Sequence, residues 1–292
     1  MLGKIIDQIL DKNEEIEWES ERVKKQEEKR GKFNWKNLFL PAGIFLLALF
    51  PRLYLLFFVG DPQSPGWYND TFHHWEVAYL TKTVGFKHGF LRLWDFKGME
   101  YFWGLLHPLV LIILFTFTHS VDILVPRLLS VFCGSLAILF LFLLIRRYFN
   151  LASALGTAIF ASFMPVVLYS DTVGMQEPLG VALVFGGLLL WPKRPVWAGF
   201  LLALAGMVRA EYWLFGIGLF GTAFFSKKSL DHKALFSLGW ILPTIFYMKY
   251  LLDWTGNPIY PIYWNFLANV KGEWFADVSL PQGRFRHNLS QE

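Results

Sequence analysis

The sequence GDPQSPGWYNDTFHHWEVAYL, residues 60–80, separates two apolar runs, and its position relative to the membrane decides the topology of the chain. Its acidic and histidine residues are Asp61, Asp70, His73, His74 and Glu76. Carboxylates and imidazoles exchange protons and bind cations, so a loop of this composition at a membrane surface is a candidate reaction centre. The alternative is an ordinary solvated loop, since charged residues need no special reason between two spans.

The composition is that of an integral membrane protein. Of the 292 residues, 54% are apolar, 18% are aromatic and only 17% are charged, which departs from the averages of soluble domains. Cys133 is the only cysteine, which excludes an intramolecular disulfide and a multi-cysteine metal site. The net charge of +4 is small and does not indicate a nucleic-acid partner.

A charged tail, residues 1–36, precedes the first apolar run. It lacks the apolar core of a signal peptide, so we expect it to lie in the cytosol. Residues 5–10 form a short amphipathic turn. The basic half of the tail, residues 22–36, abuts the first run and favours retention on the inner side, with contact to anionic lipids as a further role.

The apolar runs predict an all-α integral membrane protein, a polytopic helix bundle of about seven spans with lengths near 20 residues. Long runs occur at 37–59, 122–145, 151–169, 176–191, 196–225 and 234–252. The run 196–225 is long enough for two short helices, with a charged corner at Arg209-Ala210-Glu211. A further run, 101–118, is interrupted by His107 and Pro108.

The basic pairs indicate the position of the run 101–118. If this run stays outside, then Arg146-Arg147, Lys193-Arg194 and Lys227-Lys228 all fall in the cytosol, as the positive-inside rule requires. We therefore predict a long outer loop, 60–121, that contains juxtamembrane helices. The charged groups that then share the outer face are Asp70, Asp171, Glu177, Arg209, Glu211 and the loop 253–258.

Asp70 allows several interpretations. If residues 71–83 are helical, Asp70 is the N-cap of that helix and shares one side of it with His73 and His74. The carboxylate could then be a cap, a general base or a metal ligand. A divalent cation (Mg²⁺, Mn²⁺ or Zn²⁺) is the candidate cofactor, and its candidate ligands are Asp70, His73, His74 and Glu76.

Five segments resemble, in order, the landmarks of the GT-C superfamily of lipid-phosphate-sugar glycosyltransferases. This class includes protein O-mannosyltransferases, aminoarabinose transferases and the catalytic subunit of oligosaccharyltransferase. The segments are NDTFHHWEVAYL (69–80), LVPRLLSVFCGSL (124–136), SDTVGMQEPLG (170–180), GMVRAEYWLF (206–215) and WTGNPIY (254–260).

The resemblance implies roles for individual residues. Asp70 matches the acid of the first outer loop, a general base or cation ligand, and Glu177 matches the second acid. Arg209 and Glu211 match a charged pair that faces the lipid phosphate. Many members have another acid directly after the first, where this chain has Thr71, which leaves Glu76 or Glu177 as the partner of Asp70.

The chemistry of the residues agrees with these roles. A sugar on a polyprenyl phosphate already carries its leaving group, so the enzyme must deprotonate an acceptor and stabilise a phosphate. The guanidinium group donates paired hydrogen bonds to phosphate. Arg209 and Arg127 are the candidates for this contact. Arg52 is within snorkelling reach of the outer interface and is interpreted as structural.

The sequence thus predicts a GT-C-like membrane domain, residues 37–262, followed by an outer polar segment, 263–292. We expect a compact member, a truncated one or half of a split pair. The predicted activity moves a sugar from a polyprenyl-phosphate-linked donor to a lipid, glycan or protein acceptor on the extracytoplasmic face, with inversion. Membrane lipids are the other expected partners, and in a prokaryote the location is the cell membrane. The alternative is a non-catalytic transporter, flippase-like protein or scaffold.

Overall fold

The computed structural model describes residues 36–64, 69–86, 91, 104–225, 229–263, 278–279 and 286–287, with side chains described from residue 39 and from residue 71 in the first two segments and backbone alone at the last two. The chain divides into two units, Met1–Gly43 and Ile44–Glu292. All packing discussed below lies within the second unit. The predicted tail, 1–36, and the polar segment, 263–292, fall almost entirely outside the described residues.

The long elements are all helices, as the apolar runs predicted. Helix α1, Lys36–Tyr54, continues as a π-helical turn, Leu55–Val59, which ends with a bond of 2.7 Å from Gly60 N to Leu55 O. The other helices are α2 (Asn69–Val84), α3 (Leu106–Thr118), α4 (Leu124–Tyr148), α5 (Leu151–Phe163), α6 (Pro165–Val173), α7 (Glu177–Leu190), α8 (Pro195–Val208), a 3₁₀ turn (Ala210–Tyr212), α9 (Trp213–Phe225) and α10 (Leu230–Thr255). Two short antiparallel strands, β1 (Val278–Ser279) and β2 (Arg286–His287), pair Val278 with His287.

Within the described ranges, three helical segments are long and apolar enough to cross a membrane, which agrees with the prediction of a membrane protein. They are Phe39–Val59, Leu124–Tyr148 and Leu230–Thr255. Helices α5 and α6 together form a fourth candidate that is bent by 58°. Helices α3, α7 and α8 and the segment Ala210–Phe225 are apolar but shorter, so the count of seven spans stays a prediction.

Local sequence explains where the helices break. Met164 has extended backbone geometry (ψ 119°) before Pro165, because a proline disfavours helical geometry in the residue before it. Pro165 then begins α6, the helical position that tolerates a missing N–H. Arg209 is also extended (φ −147°, ψ 143°) and ends α8. The corner predicted at Arg209-Ala210-Glu211 is therefore confirmed.

The tightest helix packing is between α8 and α10. Gly199 of α8 lies against the backbone of α10, where an added Cβ would be 2.7 Å from Trp240 N. Gly239 of α10 lies in the same way against the carbonyl of Val196. Side chains of α7, α8 and α10 form a core around this crossing: Val184, Ala198, Leu202, Ala205 and Phe236.

A buried ion pair joins α1 to α6. Arg52 is 0% exposed, and its Nε and Nη2 lie 2.7 and 2.6 Å from Asp171 Oδ2. Its Nη1 donates to Ala48 O at 2.6 Å. Gly134 of α4 leaves the space for this carboxylate, since any added Cβ would overlap with Asp171. The ion pair therefore holds three helices, α1, α4 and α6, in one arrangement.

Asp171→Asn should lower the thermal stability of the purified protein strongly. The amide has almost the same shape but leaves Arg52 buried without a counter-ion, and breaking one side of such a pair typically costs about 3–5 kcal/mol. Thermal unfolding in detergent would measure the change. The double variant Arg52→Met/Asp171→Asn should recover much of the loss, because it removes the unpaired charge.

The control is Asp253→Asn, which breaks an exposed pair on α10. Lys249 Nζ lies 2.7 Å from Asp253 Oδ2, and both side chains are more than half exposed. Exposed pairs contribute about 0–1 kcal/mol. An Asp171→Asn protein as stable as Asp253→Asn would contradict the structural role of the buried pair.

Candidate functional site

The start of α2 packs on the link between α6 and α7, residues 174–176. Thr71 is buried, and its hydroxyl donates to Met175 Sδ at 3.6 Å. Gly174 has a left-handed backbone (φ +94°), and a Cβ there would lie 3.0 Å from Thr71 and 3.2 Å from the stem of Arg127. The turn thus requires glycine for its geometry and its space. Ser130 of α4 fixes the same link by donating to Met175 O at 2.5 Å.

Helix α2 begins at Asn69, so Asp70 is its second residue and not the N-cap of a helix that starts at Thr71. The side chain of Asp70 lies outside the described part of the structure. The side-chain contacts of the next residue, Thr71, nevertheless bring this part of α2 to the α6–α7 link. The hydroxyl of Thr71 is hydrogen-bonded to Met175. Thr71 is also the residue at the position where many GT-C members have a second acid.

Glu177, Arg209 and Glu211 form one charged cluster at the corner between α8 and α9. Arg209 Nη1 donates to Glu177 Oε1, while Nε and Nη2 donate to the two oxygens of Glu211 at 3.2 and 2.9 Å. Burial alone would lower the pKa of Arg209, but the hydrogen bonds and charges of Glu211 and Glu177 raise it overall. Burial opposes ionisation of Glu211, yet the bond from Arg209 lowers its pKa overall. The cluster therefore carries two carboxylates around one cation.

Glu177 has one carboxylate oxygen available for a ligand. Its Oε1 accepts from Arg209, whereas its buried Oε2 accepts no hydrogen bond from the residues that the structure describes. Glu177 also lines a cavity of about 340 Å³ between α4, α6 and α7. Apart from Glu177, Asp171 and Ser170, the walls are apolar: Gly134, Ala137, Ile138, Leu141, Ala161, Val166, Val167, Pro178, Val181 and Phe185.

Two histidines pack against each other beside this cluster. The rings of His74 in α2 and His107 in α3 are 5.2 Å apart and edge to face, and their exposed fractions are 1% and 0%. Burial lowers the pKa of His107 to about 3. Burial, then the charges of His107, His73 and Arg209, lower the pKa of His74 well below its ordinary value. Both imidazoles are therefore neutral at pH 7.

Arg127 lies on the other side of the α6–α7 link. It is 4% exposed, and its Nε donates to Thr172 O at 2.8 Å. Its Nη1 donates to the carbonyl oxygens of Asp61 and of Ser64, the latter at 3.1 Å. Arg127 thus ties the loop 61–64 to α6 through backbone carbonyls.

The structure brings three of the residues that the sequence predicted for a site into one cluster and places a fourth nearby. Glu177, Arg209 and Glu211 are in direct contact, His74 lies near Arg209, and Arg127 and Thr71 meet at Gly174. His107 was noted only as an interruption of an apolar run. The sequence signal for His107 was a histidine and a proline within an apolar run. This signal did not reveal that His107 would pack against His74 of α2.

The predicted cation site is not formed by the described side chains. Among them, no three His, Cys, Asp or Glu residues lie close enough together to hold a metal ion. His73 and Glu76 are half-buried on α2, and His74 faces His107. The side chain of Asp70 lies outside the described part of the structure, so the divalent cation stays a prediction.

No protein-family model, curated protein or solved structure matches this chain. The fold and the cluster define a helical membrane protein with a partly exposed, charged cluster at one end of its helices. The resemblance to the GT-C superfamily therefore stays a prediction from the sequence segments.

Acid should destabilise the protein through His107. Above pH 6.5 the residue is neutral whether folded or unfolded, but below this pH the unfolded chain gains a proton that the folded chain refuses until about pH 3. Stability is therefore lost as the pH falls through this window, by about 2 kcal/mol between pH 7 and pH 5 for one such histidine. Thermal unfolding at a series of pH values would measure it.

His107→Phe keeps a ring but cannot be protonated, so its stability should fall less steeply with acid. His119→Asn is the matched control, because His119 is exposed and has a left-handed backbone (φ +53°) that asparagine tolerates. Identical pH profiles for wild type and His107→Phe would refute the assignment.

Proposed function

We propose that this protein is a membrane glycosyltransferase that moves a sugar from a polyprenyl-phosphate carrier to an acceptor. The observation that carries the proposal is Glu177, whose buried Oε2 has no hydrogen-bond partner among the described residues and whose side chain lines an apolar cavity. Glu177 lies two residues after Met175, which contacts Thr71 at the start of α2. A carboxylate at the junction of an apolar cavity and a charged cluster suits an acceptor and a lipid-linked donor together.

The proposed transfer needs one carboxylate as a proton acceptor. The acceptor O–H gives its proton to a carboxylate, and its oxygen forms a bond to the anomeric carbon of the sugar. The bond from that carbon to the phosphate oxygen breaks at the same time, and the phosphate leaves with the electron pair. A single displacement of this kind inverts the anomeric centre. Asp70 and Glu177 are the candidate bases.

In this proposal, Arg209 and Glu211 do not bind the phosphate. Three of the five N–H donors of Arg209 are used by Glu177 and Glu211. The cluster has more negative than positive groups, which suits the hydroxyl groups of a sugar or acceptor better than a phosphate. Arg209 also orients Glu177, since its Nη1 holds Oε1 and leaves Oε2 for the acceptor proton.

The proposed topology has seven spans, with the loop 60–121 and the charged cluster on the extracytoplasmic side and the amino terminus in the cytosol. The basic pairs support this orientation through the positive-inside rule. Helices α7 and α8 have 14 residues each, or about 21 Å at 1.5 Å per residue. They are shorter than a typical hydrocarbon core of about 30 Å, so the bilayer thins around them.

Asp70→Asn and Glu177→Gln should each reduce sugar transfer. Both replacements keep the shape of the side chain but remove its capacity to accept a proton, and loss of a general base typically lowers the rate about 10²- to 10⁴-fold. The measurement is consumption of a radiolabelled polyprenyl-phosphate sugar by purified protein. Variants are compared at equal expression and equal thermal stability.

Asp253→Asn provides the control, since this exposed carboxylate belongs to a surface pair with Lys249. It should transfer sugar at the wild-type rate. If both Asp70→Asn and Glu177→Gln keep full activity, neither carboxylate is the base and the proposed site is wrong.

The topology is tested with single cysteines in a Cys133→Ser protein. Ser64→Cys and Ser120→Cys should react with an impermeant thiol reagent added outside intact cells, because both lie in the proposed outer loop. Ser153→Cys, after the basic pair Arg146-Arg147, should react only after lysis. Protection of Ser120→Cys alone would mean that the run 101–118 crosses the membrane.

A non-catalytic transporter is the second candidate function, and the buried pair of Arg52 and Asp171 favours it. Charged residues inside the membrane mark substrate paths in transporters. Reconstitution in liposomes separates the two functions, because a transporter moves a labelled lipid-linked sugar between leaflets without consuming it, whereas a transferase consumes it only when acceptor is present.

A further inference from the structure

Arg127 differs from Arg52 and Arg209 in its charge balance. Arg52 is paired with Asp171, and Arg209 is held by two carboxylates. Arg127 is buried like Arg52, but within the described residues its hydrogen bonds go only to the backbone carbonyls of Asp61, Ser64 and Thr172.

The nearby acidic group does not compensate this charge. Asp61 is the acidic residue whose charge acts on Arg127, but its carboxylate is exposed and accepts a bond of 2.9 Å from Gln63 N. Carbonyl dipoles lower the cost of burying a guanidinium group without cancelling its charge. A buried cation with this balance favours an anionic ligand.

A groove of about 650 Å³ opens onto Arg127. Its walls come from the π-helical end of α1, the start of α4 and the helix α6. Apolar side chains dominate these walls, including Leu55, Val59, Leu168 and Val173. Nη2 of Arg127 lies toward Gly60, where an added Cβ would be 3.9 Å away, and it donates no hydrogen bond to the described residues.

The groove lies where two candidate spans end, which is where lipid headgroups are expected. Val59 ends one candidate span and Leu124 begins another, so Arg127 is one helical turn inside the bundle at this interface. A lipid phosphate matches both parts of the groove, because its oxygens accept paired hydrogen bonds from a guanidinium group and its chain contacts apolar walls.

We propose that this groove binds the phosphate and first chain segment of the lipid-linked donor, with Arg127 and not Arg209 as the phosphate ligand. The identity of the lipid as donor rests on the proposed function. The position is suitable for transfer, because Arg127 and Thr71 both approach Gly174. A phosphate on the guanidinium of Arg127 would therefore lie within one side-chain length of the α6–α7 link, against which the start of α2, with Asp70, packs.

Binding is tested without turnover, by calorimetry on the full-length protein in detergent with farnesyl phosphate as the probe. Leu168→Trp fills the groove and leaves the carbonyl bonds of Arg127 in place, so it should weaken binding by about 10-fold or more. Leu214→Trp is the matched control, since Leu214 is 70% exposed on α9 and outside the groove, and it should bind as wild type does.

Three further measurements identify the ligand chemistry. Arg127→Lys should weaken the binding of farnesyl phosphate roughly 10- to 100-fold, because lysine lacks the planar fork of N–H donors. Farnesol should bind to wild type much more weakly than farnesyl phosphate. Inorganic phosphate at the same concentration should not compete, because it lacks the chain.

Unchanged affinity in a folded Leu168→Trp protein would overturn the groove assignment. Loss of binding in Arg209→Lys with full binding in Arg127→Lys would move the phosphate to the corner cluster. Competition by inorganic phosphate would overturn the lipid assignment. If the lipid binds in the groove but no sugar is transferred, the proposed function is refuted and the groove assignment stands. If sugar is transferred but both groove variants bind farnesyl phosphate as wild type does, the groove assignment is refuted and the proposed function stands.

Discussion

The ion pair between Arg52 and Asp171 is the contact on which the arrangement of this end of the molecule depends. It joins α1 to α6, the helix that follows the 58° bend, at a position where neither charge reaches water. A charge pair of this kind has a narrow geometric optimum, because both ions lose hydration and only a close approach compensates for the loss. The position of α6 sets that of the turn at Gly174, and the turn places Met175 against Thr71 and leads directly into Glu177.

The two charged sites on either side of this turn have opposite character. The corner cluster combines Arg209 with two carboxylates, and the groove presents Arg127 with carbonyl oxygens alone. A donor that is anionic at one end and rich in hydroxyl groups at the other would find complementary groups in this order. Such polarity gives a bound substrate a fixed direction as well as affinity.

Sequence patterns predicted the helices and the corner well, because apolar runs and their interruptions are local signals. The positive-inside rule predicted that Glu177, Arg209 and Glu211 share one face, and the structure places them in contact. The sequence did not predict which carboxylates pair with which arginines. Arg209 was predicted to face the lipid phosphate, but the structure shows two carboxylates on it. Arg52 was interpreted as structural, which its buried pair supports, but its partner Asp171 was not predicted. The contact of His74 with His107 also depends on how α2 and α3 pack, which no spacing along the chain reveals.

The glycine crossing of α8 and α10 has a consequence for how a long lipid could enter. Gly199 and Gly239 bring the two backbones together so closely that neither helix can rotate or slide without a collision. This pair therefore acts as a fixed wall. Helices α5 and α6, in contrast, meet at a 58° bend with Met164 extended between them. A bend without continuous helical hydrogen bonds is the softer boundary, so any lateral opening toward the bilayer belongs on the α5–α6 side.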